Sequence, residues 1–146
     1  MKKYLILYLS LKNIMNLLKL VEDRDALYCG VFLDMASRAM ILDRVEIPMG
    51  WRVYVHHMTI RLGELPNNLK DLIGEEVELL VTHIGKSDKA IAFGIDTSLS
   101  FNKRPHITVA IDVENGGKPK DSNDIINWDR IKEFTVRGKI GEIYKN

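Results

Sequence analysis

One cysteine, Cys29, is all that the 146 residues contain, so no disulfide can form within the chain. A reducing compartment suits such a chain, and a cytoplasmic location is the expectation. Charge of one sign is also lacking. Twenty-one basic residues stand against twenty acidic ones, for a net charge of +1. Bulk attraction to a polyanion is therefore weak, which argues against a sequence-blind coat protein and leaves room for an enzyme that grips a terminus. No long apolar run exists. The one at Tyr4 to Leu9 breaks at Ser10 and Lys12 with no small-x-small cleavage site after it, so neither export nor membrane insertion is expected. A Gly-x-Ser-x-Gly elbow, a Gly-x-x-x-x-Gly-Lys loop, a His-x-x-x-His pair and paired cysteines are all missing. Serine-nucleophile chemistry and Walker-type nucleotide binding lose their support, and neither a metal nor another cofactor is expected.

What is present is a short pattern used twice: His57-Met58-Thr59-Ile60 and His106-Ile107-Thr108-Val109. Each lies in or beside an apolar, β-branched run. On a strand, side chains at i and i+2 share a face, so each copy presents an imidazole next to a hydroxyl. Two such strands across a groove would aim two histidines and two threonines at one small anion. Phosphodiester cleavage needs one group to take a proton from the nucleophile and another to give one to the leaving oxygen. Histidine suits both tasks because its ordinary pKa lies near 6.5. His57 and His106 are the expected pair, with Thr59 and Thr108 donating to the non-bridging phosphate oxygens. The competing reading makes both histidines half-buried strand residues satisfied by their neighbours.

Composition fits one compact domain: 46% of residues are apolar and 28% charged. Leu7, Leu11, Ile14, Leu18 and Val21 recur at helical spacing, predicting an amphipathic N-terminal helical extension over 1–24 and a domain over 25–146. Leu27 to Leu33 reads as a central strand and Met35 to Asp43 as a short helix. Trp51 to Leu62 reads as one long strand with the first motif, and Pro66 to Ile73 as a helical piece stopped by Gly74. Val77 to Ile84 and Ala90 to Ile95 read as paired strands, with the second motif strand following Pro105. Ile125 to Ile131 is predicted helical, capped by Ser122 or Asn123, and Phe134 to Tyr144 closes with one or two strands. The order implies an α+β fold with a mostly antiparallel sheet, and one motif in each half suggests two lobes around a central cleft.

Candidates for substrate contact follow from position. Arg61 lies two residues past Thr59 and, on an uninterrupted strand, shares its face. Lys118 and Lys120 follow the second motif, and Lys103 and Arg104 precede it. Arg61 and Lys118 rank highest for position, with a solvated surface charge the competing reading for each. Tyr28, Trp51 and Tyr54 are candidates for stacking on a base, Tyr28 and Trp51 foremost, with core packing the expectation for at least two of the three. His56, adjacent to His57 on a strand, should point to the opposite face and so share no ion with it; His83 lacks the threonine. Both read as packing or surface histidines.

The paired motifs resemble those of the two-histidine (2H) phosphoesterase superfamily. Pro105-His106-Ile107-Thr108-Val109 and Gly117-Lys118-Pro119-Lys120-Asp121-Ser122-Asn123 are similar to the cyclic phosphodiesterase domain of fungal and plant tRNA ligases. So are Tyr28-Cys29-Gly30-Val31 and Lys139-Ile140-Gly141-Glu142-Ile143; the resemblance spans about residues 26–144. It implies a bilobal fold with a motif strand in each lobe and a catalytic quartet of His57, Thr59, His106 and Thr108. The implied reaction opens a 2′,3′-cyclic phosphate at an RNA end without a metal, leaving a 2′-phosphate and a 3′-hydroxyl. His57 would be the acid on the departing 3′ oxygen and His106 the base on water. No ligase or kinase segment is present, so the chain reads either as a free-standing repair component, with a separate RNA ligase or kinase as its partner, or as one recruited to a different substrate. The resemblance also admits 2′-5′ or cyclic signalling oligonucleotides as substrates. An inactive module that binds RNA ends is the remaining reading.

Overall fold

The computed structural model describes residues 4–7 and 26–145. Eight strands form one sheet: β1 (Tyr4–Leu7), β2 (Ala26–Leu33), β3 (Arg52–Val53), β4 (His57–Leu62), β5 (Glu76–Lys86), β6 (Ala90–Asp96), β7 (His106–Ile111) and β8 (Asn127–Lys145). One α-helix, α1 (Met35–Leu42), and three 3₁₀ segments (Asn67–Leu72, Val113–Asn115 and Pro119–Asp124) complete the described elements. Neighbours run in the order β1-β8-β2-β4-β7-β6-β5, every pairing is antiparallel, and β5 returns to β8, closing β2, β4, β7, β6, β5 and β8 into a six-stranded barrel. The α+β class and the antiparallel sheet stand. Among the described residues no helix is long and apolar enough to cross a membrane.

Closure depends on β8. Its first part pairs with β5, from Asn127 opposite Lys86 to Lys139 opposite Glu76. Its second part pairs with β2, from Gly138 opposite Leu33 to Tyr144 opposite Ala26. At the crossover a Cβ on Gly138 would lie 2.6 Å from the Phe32 carbonyl oxygen, so no larger residue fits without moving a strand. Phe134, Val136 and Ile140 point into the core, and Thr135, Arg137 and Lys139 point out. That alternation runs from Glu133 to Ile140. The helix expected over Ile125–Ile131 does not form: Pro119–Asp124 is the 3₁₀ segment, and Asn127 onward is recruited into the ladder with β5. Long-range pairing overrides the local helical spacing there.

Side chains from all around the barrel meet in one core, including Val31, Ile41, Met58, Ile60, Phe93, Ile107, Val136 and Ile140. Helix α1 is started by Asp34, whose carboxylate accepts the Ser37 N–H at 2.7 Å, a bond that also holds the carboxyl below its usual pKa. The Ser37 hydroxyl accepts the Arg137 N–H at 2.7 Å, fastening the helix to β8.

Two departures shape the site. The strand expected over Trp51–Leu62 is broken at residues 54–56, where Val55 takes a φ of +46°, and Trp51 packs against the core. The second is at the amino end: Tyr4–Leu7 is a strand pairing with β8, where the sequence suggested the first turns of a helix. The remainder of that expected helix lies outside the described residues.

β2 and β4 pack closely at Gly30. A Cβ there would stand 2.6 Å from the Met58 carbonyl oxygen and 3.4 Å from the His57 ring. The oxygen belongs to the backbone and cannot swing aside. Gly30→Ala is expected to cost about 1–3 kcal/mol, read as an earlier midpoint in urea unfolding; an unchanged midpoint would contradict this packing.

Candidate active site

Alternation along the two motif strands places the quartet. On β4, Met58 and Ile60 are fully buried in the core, which turns His57 and Thr59 to the other face. On β7, Ile107 and Val109 fill the core, which turns His106 and Thr108 the same way. The strands are neighbours, joined in register at Met58 opposite Ile107. All four motif side chains therefore line one cavity of about 890 Å³. Tyr28, Tyr54, His56, Leu62, Asn102, Lys120 and Asn123 are also on its wall.

His106 is 8% exposed, and its Nδ1 lies 2.8 Å from the Arg104 carbonyl oxygen. A carbonyl can only accept, so Nδ1 carries the hydrogen and neutral His106 keeps its lone pair on Nε2. The Arg104 guanidinium rests on the Trp128 ring, 4.9 Å from its centroid, and a Cβ on Gly94 would come within 2.5 Å of it. This packing steadies the carbonyl that orients the imidazole. Burial pulls the His106 pKa down; the bond to Arg104 works against that, and the guanidinium charge adds to the lowering.

His57 stacks on Tyr28 at 4.8 Å with 26° between the rings. Its Nε2 is 3.1 Å from Thr59 Oγ1 and its Nδ1 is 3.0 Å from His56 Nδ1. Enclosure by protein, with lesser contributions from the neighbouring His56 and His106, holds its pKa down at about 3. Thr108 Oγ1 donates to Ser122 Oγ at 2.9 Å, and Ser122 is 1% exposed at the end of the Pro119–Asp124 turn. Rotating both hydroxyls lets Ser122 donate to Thr108 and frees the Thr108 proton for a ligand.

The stacking and basic candidates separate. Tyr28 and Tyr54 reach the cavity, while Trp51 is not on its wall. Arg61 is displaced by an irregularity in the β2–β4 ladder: Gly30 faces Thr59, Cys29 faces Arg61, and Ile60 is left without a partner. The extra residue shifts the alternation, so Leu62 faces the cavity where Arg61 was expected. The Arg61 Nε donates instead to the Glu64 carbonyl at 2.8 Å, and the guanidinium lies 5.5 Å from the Phe101 centroid. Lys118 is exposed and off the wall, its N–H capping onto Asp121 at 2.8 Å; Lys120 takes the place expected of it.

His56 was expected on the opposite face. The left-handed turn at Val55 breaks the alternation and brings its ring against His57. His56 and His57 therefore share one side of the strand. Among the described residues, however, no group of three or more His, Cys, Asp or Glu side chains is disposed to hold a metal ion. Asn102 reaches the wall with nothing in its local sequence to distinguish it from a loop residue, and Asn123, expected as a helix cap, lines the cavity instead.

The buried histidines set a pH dependence. An unfolded histidine titrates near 6.5, whereas folded His57 does so at about 3. Between those values the unfolded chain binds a proton that the folded chain refuses, so stability falls as pH drops below about 6.5. One such group contributes at most about 1.4 kcal/mol per pH unit, and less with its partial exposure. His56 and His106 shift the same way. The melting temperature is expected to fall between pH 7.5 and 5, less steeply in His57→Gln. Equal slopes in the two proteins would contradict this.

Comparison with protein-family models, curated proteins and solved structures finds no match to this chain.

Proposed function

We propose that this chain is a metal-independent 2H phosphodiesterase that opens 2′,3′-cyclic phosphates at RNA ends. One observation carries the reading: two separate His-x-Thr segments, 49 residues apart in sequence, aim their imidazoles and hydroxyls into a single cavity. His106, with its proton held on Nδ1, offers Nε2 to take a proton from water. The water oxygen attacks phosphorus, the bond to the 3′ oxygen breaks, and His57 Nε2 returns a proton to that oxygen. The product is a 2′-phosphate with a 3′-hydroxyl. Thr59 and Thr108 donate to the non-bridging oxygens as charge builds.

Both histidines are neutral in the empty cavity at pH 7. An entering phosphodiester anion supplies the counter-charge that favours a protonated imidazole beside it, so substrate binding and protonation rise together. Lys120 is the one lysine or arginine among the described wall residues. With a volume suited to about one nucleotide, this favours a single terminal group over an extended polyanion, and Tyr28 and Tyr54 are placed to flank a base.

The finer architecture belongs to the same reading. β4 and β7 meet through a single register pair, a narrow seam between β2 with β8 and β6 with β5, which is how two lobes would flank a cleft. A cytoplasmic RNA-repair role beside a separate ligase or kinase goes with it.

The experiment is a substrate comparison at pH 7: RNA ending in a 2′,3′-cyclic phosphate, a 2′-5′-linked trimer and a cyclic dinucleotide. Preference for the first is expected. Preference for either of the others would keep the chemistry and replace the substrate. Binding of the RNA end without turnover would favour the binding module.

A further inference from the structure

Three features outside the quartet stand out: the buried Glu142 on β8, the exposed apolar side chains near the cavity mouth, and His56. Glu142 is 4% exposed and occupied on both oxygens, accepting the Leu65 N–H at 2.9 Å and the Tyr144 hydroxyl at 3.1 Å, which explains it as structure. Leu62 and Phe101 are exposed, but nothing in the structure says what would cover them. His56 is different.

Its Nδ1 meets the His57 Nδ1 at 3.0 Å, with the rings at 86°. Two imidazole nitrogens at that distance bond only when one carries a hydrogen and the other does not, so a single proton sits between them. The opposite nitrogen of His57 faces Thr59 and the cavity. His57 is thus connected at both ends, with the half-buried His56 behind it. The backbone is strained to achieve this. Val55 is β-branched, wholly buried and at φ +46°, a conformation that costs on the order of 1–3 kcal/mol. It is held there by its N–H to the Thr108 carbonyl at 3.0 Å and by the Tyr54 N–H to the Val109 carbonyl at 2.8 Å. A regular strand would have sent His56 to the other face. Phe32 fixes the ring edge-on at 5.4 Å, and Arg38 of α1, bonded to the Tyr54 carbonyl at 3.4 Å, is the cation beside it.

We propose that His56 is a positioning residue that supplies, through His57, the proton for the leaving oxygen. The inference rests on the phosphodiesterase reading of the same cavity. As the P–O3′ bond breaks, its electron pair goes to O3′, which takes the proton from His57 Nε2. The proton on His56 Nδ1 passes to His57 Nδ1 in the same movement. His57 stays neutral and only exchanges tautomers, His56 goes from imidazolium to imidazole, and the proton from the attacking water goes to His106. Solvent then resets both ends. The scheme spares the more deeply enclosed His57 from carrying a full charge. It places that charge on the half-buried His56, whose pKa burial and the Arg38 guanidinium also lower, so that the charge arrives with the phosphodiester anion.

The test compares two phosphodiesters. Cytidine 2′,3′-cyclic phosphate expels a ribose alkoxide that needs a proton; a p-nitrophenyl ester of thymidine phosphate expels a phenolate that needs none. In His56→Ala and His56→Gln, the ratio of kcat/KM on the cyclic ester to that on the aryl ester is expected to fall about 100-fold, the low end of general-acid effects. Free imidazole should restore part of the loss in His56→Ala. A merely structural role would lower both substrates together and leave the ratio unchanged, and that result, or no loss at all in well-folded variants, overturns the inference alone. A wild-type protein inactive on both esters overturns the phosphodiesterase reading and the inference with it.

Discussion

Replacing His57 or His106 with alanine is expected to slow hydrolysis of a 2′,3′-cyclic phosphate by about 10²- to 10⁴-fold, the range of a lost general acid or base. The loss should fall on kcat more than on KM. Binding of a terminal phosphate draws on Thr59, Thr108, Lys120 and the tyrosines, which remain, whereas each histidine acts on a proton that moves only in the transition state. The double variant should be little worse than the worse single one, because the groups act as a unit. Folding should survive, since the cavity-facing histidines lie outside the core that holds the barrel together. Retention of more than a tenth of the wild-type rate in either variant would remove that histidine from the mechanism.

The second large effect concerns the seam. Ile107→Ala is expected to destabilise the protein by about 2–5 kcal/mol, the cost of truncating a fully enclosed aliphatic side chain. Against a total of roughly 5–15 kcal/mol for a domain of ordinary stability, that is a large share. The melting temperature should drop by roughly 5–20 °C. Position makes this core residue matter for function too. Ile107 stands between His106 and Thr108 in sequence and opposite Met58, which stands between His57 and Thr59, so the one register pair of the seam lies at the centre of the quartet. Loosening it should let the two motifs drift apart. Misplacement by about 1 Å can cost on the order of 10²-fold in rate, so activity at a temperature where the variant is fully folded should fall as well. A variant that melts like wild type would contradict the packing of β4 on β7.

Much of this was readable in the chain because it depends on short-range pattern. The apolar stretch at Leu27–Leu33, the paired runs around Val77–Ile84 and Ala90–Ile95, and the helix beginning after Asp34 each have local signals that packing reinforces. The motif faces were readable because period-2 alternation holds across His57–Thr59 and across His106–Thr108. The failures come where alternation is interrupted by contacts distant in sequence. The kink at Val55 is stabilised by β7, more than fifty residues away, and it moves His56 to the side of His57. The irregularity opposite Cys29 and Gly30 carries Arg61 off the cavity. Ile125–Ile131 has helical spacing, but β5 offers it a ladder that the spacing cannot reveal. In the first two cases one extra or turned residue changes which side chain faces the cavity.

The central claim is that two histidines perform phosphodiester hydrolysis on a terminal cyclic phosphate without a metal. Its most direct test is to incubate wild-type protein with excess EDTA and a short RNA ending in a 2′,3′-cyclic phosphate, and to identify the product by ³¹P NMR. The account predicts turnover undiminished by the chelator and a 2′-phosphate as product. A 3′-phosphate would reverse the direction of bond cleavage, and turnover abolished by EDTA and restored by a divalent cation would contradict the two-histidine mechanism outright.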